Sequence, residues 1–155
     1  MKRSMPAQKP GRSKQDYGTP REFLDAVEKR FGRINFDLAA SAHNKVVDAY
    51  FDERKDSLKQ AWWRLPGLLW LNPPFGNIDP WAEKCAAEMR QGARIAFLTP
   101  ASVGANWFQE HVVPSAHVVE LSPRLSFDGE HPFPKDLVLS VFYAGLTGRS
   151  FWRWR

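Results

Sequence analysis

The sequence predicts an open α/β fold with a mostly parallel central sheet and helices on both faces. Short apolar segments typical of buried strands alternate with segments whose apolar residues recur at helical spacing. The segment Leu68–Leu71 is apolar at every position, as expected of a central parallel strand that is buried on both faces. A chain of 155 residues is ordinarily one domain.

The elements follow one another along the chain. Thr19, Pro20 and Glu22 form a predicted capping box that starts a helix, and Gly32 ends that helix. We expect Thr99-Pro100 to end a later strand. The other predicted elements are a strand over 34–40, a loop over 41–60 with a helical turn near 46–51, the strand 68–71, a helix from Asp79-Pro80 to Gly92, strands over 95–98 and 118–121, a short helix over 104–111, and a last, antiparallel strand over 137–143.

Positive charge is concentrated at the two ends of the chain. The net charge is +5, yet residues 15–148 carry 14 basic against 17 acidic groups, a net of −3. We therefore predict a disordered basic leader over 1–15, one folded domain over 16–146 and a basic aromatic tail over 147–155. Such cationic arms suit contact with nucleic-acid phosphates, and a solubilising role is the alternative.

Composition excludes several classes of protein. The single Cys85 excludes an intramolecular disulfide and a zinc site built from several thiolates. The four histidines lack ligand spacing, so we expect no metal. No apolar run approaches the roughly 18 residues of a membrane span, so we expect no membrane partner and a cytoplasmic protein. The composition leaves monomer and homodimer open.

The tetrapeptide Asn72-Pro73-Pro74-Phe75 directly follows the apolar strand and is the strongest functional signal. Proline nitrogens cannot donate, so this stiff segment presents carbonyl acceptors in fixed directions, and Asn72 adds a side-chain carbonyl. Two acceptors and the flat ring of Phe75 suit a flipped base with an exocyclic amine. Accepting N–H bonds that strengthen as the amine nitrogen attacks would stabilise the transition state, without metal or covalent intermediate.

This tetrapeptide is the form of the catalytic motif in amino-group DNA methyltransferases, and the wider chain resembles the phage-type DNA N6-adenine methyltransferases. The resemblance runs from Tyr17 to about Tyr143, and only the tetrapeptide is specific when taken singly. Its motifs are Tyr17-Gly18-Thr19-Pro20, Phe36-Asp37-Leu38-Ala39-Ala40-Ser41, Tyr50-Phe51, Asp56-Ser57-Leu58, Asn72-Pro73-Pro74-Phe75-Gly76 and Arg124-Leu125-Ser126-Phe127.

The resemblance implies a Rossmann-like methyltransferase fold, S-adenosylmethionine as cofactor and double-stranded DNA as partner. It implies catalytic roles for Asn72, Pro73, Pro74 and Phe75. The usual glycine-rich cofactor loop is replaced here by Ala39, Ala40 and Ser41. The residues expected at the cofactor are Tyr17, Thr19, Pro20, Asp37, Leu38, Ala39, Ser41, Asp56 and Asn72.

The loop from Arg124 to Lys135 mixes cations and aromatic side chains, so we expect Arg124, Phe127 and Lys135 to contact DNA. Alternatives remain open at this stage. The same chemistry serves cytosine N4, and a related motif methylates glutamine side chains. A nucleic-acid-binding module without activity is the alternative from another class.

Overall fold

The computed structural model describes residues 18–155, so the predicted leader over 1–15 and Tyr17 lie outside the described residues. None of the helices in this part of the chain is long and apolar enough to cross a bilayer. The α-helices and strands are, in chain order, α1 (Arg21–Phe31), β1 (Ile34–Asp37), β2 (Leu68–Leu71), α2 (Asp79–Arg90), β3 (Arg94–Pro100), β4 (His117–Ser122), β5 (Leu137–Phe142) and β6 (Gly148–Arg153). A short π-helix over Phe108–Val112 overlaps the short helix predicted over 104–111.

The strands form one six-stranded sheet in the order β1-β2-β3-β5-β4-β6. Strands β1, β2 and β3 pair in parallel, and β4 pairs in parallel with β6. Strand β5 is antiparallel to both of its neighbours, so five strands share one direction. The mostly parallel sheet and the antiparallel strand over 137–142 confirm the prediction, and the carboxyl ends of the five parallel strands share one edge.

Strand β2 is buried on both faces, as its unbroken apolar sequence predicts. Leu69 faces α2 and belongs to the same core cluster as Cys85, which is itself buried. Trp70 faces the other side, where its ring meets Phe23 of α1 edge-on at 6.3 Å between centroids. The two helices therefore cover opposite faces of the sheet.

The start of α1 differs from the predicted capping box. Pro20, not Thr19, is the N-cap residue, and no side chain caps the helix. Thr19 is one position too far from the helix for its hydroxyl to reach the first free N–H groups. Glu22 instead pairs with Arg155, with 2.8 Å between Oε2 and Nη2. The predicted helix is correct, but its capping is not.

Two local expectations between the strands were also wrong. The loop over 41–60 has no helical turn at 46–51; its helical turns are 3-10 turns at Glu53–Lys55 and Ser57–Lys59. Strand β3 runs through Thr99 and Pro100, which pair with Val138 and Leu137 of β5. A proline in the last position of a strand removes a single ladder donor, so it does not stop the pairing.

The segment over 147–155, expected as a tail, contains strand β6. Ser150, Trp152 and Trp154 point to the α1 side, and Trp154 is buried against Phe23 with 5.2 Å between ring centroids. The indole N–H of Trp154 donates to the Pro123 carbonyl at 2.7 Å. The alternation of tryptophan with arginine over Trp152–Arg155 was the available signal, but the three arginines of this segment suggested a charged tail instead.

We expect Trp154→Ala to lower the free energy of unfolding by about 3 kcal/mol, because it removes a buried aromatic side chain and a hydrogen bond. The matched control is Phe151→Ala on the same strand, where the side chain is 81% exposed; its effect should stay within about 0.5 kcal/mol. Chemical denaturation measures both. Equal, small effects would contradict the assignment of β6 to the folded domain.

Candidate active site

Two loops leave the same edge of the sheet side by side and enclose the largest cavity described here. Because β1 and β2 are parallel and Asp37 is in register with Trp70, the segments after both strands emerge together. The Leu38 N–H donates to the Trp70 carbonyl at 2.9 Å and extends this pairing beyond β1. The cavity between them has a volume of about 890 Å³, within the usual range of about 300–1,000 Å³ for ligand sites.

The cavity wall comes from four segments of the chain. These are the loop after β1, the segment that contains the 3-10 turns, the tetrapeptide after β2, and one residue of α2. The lining residues are Leu38, Ala39, Ala40, Ser41, Ala42, Asn44, Tyr50, Phe51, Asp52, Glu53, Arg54, Asp56, Ser57, Leu58, Asn72, Pro73, Pro74, Phe75, Gly76 and Trp81.

Asn72 has an unusual hydrogen-bonding pattern. Its Nδ2 lies 3.4 Å from the Thr19 Oγ1, and this long hydrogen bond joins the residue before α1 to the end of β2. Its Oδ1 is screened from solvent and has no hydrogen-bond partner in the described chain. Burying a carbonyl without a partner costs about 1–3 kcal/mol. A donor from a bound ligand would relieve that penalty.

The rest of the tetrapeptide combines a rigid backbone with one aromatic face. Pro73 is buried, Pro74 is exposed and Phe75 is half-buried in the cavity wall. The Phe75 ring is supported from the loop before β5, where Phe133 meets it edge-on at 5.8 Å between centroids. The loops at the ends of β2 and β4 are thus in contact.

Asp37 shapes the loop after β1 from inside the protein. Its carboxylate is 2% exposed and accepts hydrogen bonds from the Ala39 N–H at 3.2 Å and the Val46 N–H at 3.1 Å. Burial raises the pKa of Asp37 to about 7, although the two N–H donors act in the opposite direction. Asp37 is not among the residues that line the cavity, and its hydrogen bonds shape the loop that does.

The opposite wall carries residues to which the sequence analysis gave no role. Asp52 caps the first 3-10 turn through a bond from the Lys55 N–H at 3.2 Å, and Tyr50 bridges to Asp37 in parallel register. Trp81 stacks on the buried Trp62, with 6.3 Å between centroids and an interplanar angle of 19°. Tyr50 lay within a motif of the resemblance, but no specific spacing in the sequence singled out Tyr50, Asp52 or Trp81.

The predicted cofactor residues separate into three groups. Tyr17 lies outside the described residues, and Thr19, Pro20 and Asp37 do not line the cavity. Asp56 lines it in a left-handed conformation, with φ of 48°, and its carboxylate lies 3.5 Å from the Lys59 ammonium. The lining members of the predicted set are Leu38, Ala39, Ser41, Asp56 and Asn72.

The predicted DNA loop lies at the same edge of the sheet, but one of its residues is not on the surface. Arg124 and Lys135 line a second, shallower cavity of about 360 Å³ beside the end of β3. Phe127 is 9% exposed and packs edge-on against Phe133 at 5.6 Å between centroids. The expectation that Phe127 contacts DNA directly therefore needs correction, because its ring belongs to the core that supports Phe133.

Asp128 organises that loop. It accepts from the backbone N–H groups of His131 and Glu130, each at 2.8 Å, and these bonds hold the pKa of Asp128 well below its usual range.

A group that could bind a cation lies elsewhere, where Asp79, Glu83 and His111 bring ligand atoms within 4.8 Å of one another. Such surface groups are common without an ion, so the absence of a metal stays a prediction.

A mostly parallel sheet with Asn-Pro-Pro-Phe at a strand end beside a large cavity defines a Rossmann-like methyltransferase domain. Comparison with known proteins is more specific. The DNA N-6-adenine-methyltransferase (Dam) family matches residues 7–137. The chain belongs to this family.

One relative is a protein of Escherichia phage T1 named DNA N-6-adenine-methyltransferase. It is 30% identical over 134 residues, which cover 86% of this chain and 56% of the phage protein. The chain thus spans little more than half of the length of this relative.

Asp37 should make stability depend on pH. Because the folded-state pKa is raised from 3.8 to about 7, the folded protein binds a proton there that the unfolded chain has lost. This contribution falls as pH rises between about 4 and 7, by at most about 1.4 kcal/mol per pH unit. Asp37→Asn should remove this part of the pH dependence. Denaturation at several pH values checks it, and parallel curves for the two proteins would contradict the buried, protonated carboxyl.

Proposed function

We propose that this chain transfers the methyl group of S-adenosylmethionine to the exocyclic N6 amine of adenine in double-stranded DNA. The observation that carries the proposal is the unpaired Oδ1 of Asn72 beside the Asn72–Phe75 cavity. Membership of the DNA N-6-adenine-methyltransferase family supports the same reaction and favours adenine over cytosine.

The cavity has the chemistry needed for the cofactor. Ala39 and Ala40 leave the backbone of the loop after β1 open to close approach, and Asp52 and Asp56 offer carboxylates to amine or hydroxyl groups. Phe51 adds an apolar face to the same wall. S-adenosylmethionine, when bound there, supplies a methyl group on a positively charged sulfur. Asp37 serves this site indirectly, by holding the loop from Ala39 to Val46 in shape.

The residues of the tetrapeptide act on the target amine. The Asn72 Oδ1 and the Pro73 carbonyl accept its two N–H groups, and these bonds strengthen as the nitrogen becomes positive during attack. Phe75 stacks on the base after it leaves the duplex. Because the Asn72 Oδ1 is buried, a local shift of the surrounding residues must admit the amine.

The DNA duplex lies along the edge of the sheet that carries the carboxyl ends of the parallel strands. Arg124 and Lys135 are exposed at this edge and suit phosphate contacts next to the extruded base. Phe127 contributes indirectly, through Phe133 and Phe75. In this proposal the two cations supply affinity, whereas the tetrapeptide supplies the reaction.

The reaction is tested by mass spectrometry of nucleosides from unmethylated DNA incubated with the protein and S-adenosylmethionine. We expect N6-methyladenine. Asn72→Ala should lower the rate about 10²–10³-fold, because it removes an acceptor that matters most in the transition state. Asn77→Ala is the matched control, since Asn77 is exposed in the same loop.

N4-methylcytosine would keep the mechanism and change the base. A fully active Asn72→Ala variant would overturn the mechanism. Thermal unfolding of both variants verifies that the fold is intact, and binding of S-adenosylhomocysteine without any DNA product would point to another substrate.

The phosphate contacts are tested by DNA affinity at several salt concentrations. Arg124→Ala and Lys135→Ala should each weaken binding and reduce the slope of log K against log salt by about 0.9. Arg33→Ala is the control, because Arg33 is an exposed cation directly before β1, at the opposite edge of the sheet. An equal effect of all three substitutions would indicate general charge attraction and would contradict the assigned edge.

A further inference from the structure

Thr19 has a side-chain hydroxyl that the helix beside it does not use. Pro20 is the N-cap of α1, and no side chain caps that helix. The Thr19 Oγ1 instead lies 3.4 Å from the Nδ2 of Asn72, a residue 53 positions further along the chain. Thr19 also does not line the cavity, although the sequence analysis expected it at the cofactor.

The two ends of the Asn72 amide are not interchangeable for the proposed reaction. Only Oδ1 can accept an N–H from a base amine, and Nδ2 would present two donors to it. If the amide rotated by half a turn, its Nδ2 donors would face the N–H donors of the base amine, and the attractive contact would be lost. The orientation of this one side chain decides whether the site accepts an amine.

The surroundings favour the orientation that leaves Oδ1 available. Nδ2 has the Thr19 oxygen as an acceptor, and within residues 18–155 the buried unpaired atom of this amide is Oδ1. The half-turned amide would put two N–H donors into that buried position. The Thr19 hydroxyl can accept from Nδ2 or donate to Oδ1, so it holds the amide in either orientation. Burial decides between the two, because proteins leave buried N–H groups unpaired more rarely than carbonyl oxygens.

We propose that Thr19 is a positioning residue, whose hydroxyl holds the donor end of Asn72 so that Oδ1 faces the target amine. This inference rests on the proposed function, because it concerns the amine acceptor of that reaction. Thr19 touches neither base nor cofactor in this role; it acts through Asn72.

The experiment compares Thr19→Val, which keeps the shape and removes the hydroxyl, with Thr19→Ser, which keeps the hydroxyl. Both are assayed for methyl transfer to duplex DNA and for S-adenosylhomocysteine affinity. We expect kcat of the valine variant to fall about tenfold with unchanged KM for S-adenosylmethionine. The serine variant should stay within about twofold of the original.

A valine variant with weaker S-adenosylhomocysteine binding and unchanged kcat would overturn the proposal and assign Thr19 to the cofactor. A serine variant as slow as the valine variant would overturn it too, since the hydroxyl would then be irrelevant. Thermal unfolding identifies any variant that fails to fold, and Thr19→Ala then replaces it.

A second measurement does not depend on activity. The side-chain NH₂ signals of Asn72, identified by their loss in Asn72→Ala, are compared by NMR in the original and in both threonine variants. We expect them to move in Thr19→Val and to return towards the original position in Thr19→Ser. Unmoved signals in Thr19→Val would overturn the contact. If the original protein methylates no DNA base, the proposed function fails, while this measurement still decides whether Thr19 orients Asn72.

Discussion

The parallel pairing of β1 with β2 is the constraint on which the rest of the site depends. Both strands end at the same edge, and the Leu38 N–H extends the pairing by one residue beyond β1 at 2.9 Å from the Trp70 carbonyl. The chain must then turn away in two adjacent loops, because β2 is covered on both faces by helices. The space between these loops is the cavity. The pairing of an apolar strand with its neighbour therefore creates a cavity whose wall mixes polar and apolar residues.

Two buried polar groups lie next to this pairing, and only one of them has hydrogen-bond partners. The Asp37 carboxylate is almost fully buried and receives two backbone N–H groups, and its pKa rises to about 7 because these bonds do not fully compensate for burial. The Asn72 Oδ1 receives none within the described chain. The first group keeps the loop in shape at a cost in stability that grows as pH rises from about 4 to 7. The second is a buried acceptor, which the proposed reaction would use to bind the target amine. Both groups cost free energy of folding beside the paired ends of β1 and β2.

Elements that a few adjacent residues define were predicted correctly from the sequence. Features that depend on contacts between distant residues were not. The strand Leu68–Leu71 was predicted correctly because burial on both faces is visible in a few adjacent letters. The tetrapeptide after it lines the cavity, and its catalytic role stays a prediction. The roles of Thr19 and Phe127 depended on partners 53 residues away or on packing against Phe133, so a cap and a surface aromatic were expected instead. Strand β6 was missed because its arginines dominate its composition, whereas its inward Trp152 and Trp154 define its structure.

The contact of Trp154 and Trp152 with Phe23 joins the two most distant parts of the described chain. Strand β6 is at the edge of the sheet furthest from β1, yet its side chains brace α1, and Arg155 holds Glu22 in the first turn of that helix. Thr19 lies two residues before α1, with Pro20 between them. Edge strands are the parts of a sheet that open first by local unfolding. Fraying of β6 on warming would therefore loosen the start of α1 and its contact with Asn72 while the central strands remain intact, so the proposed activity would be lost before global melting.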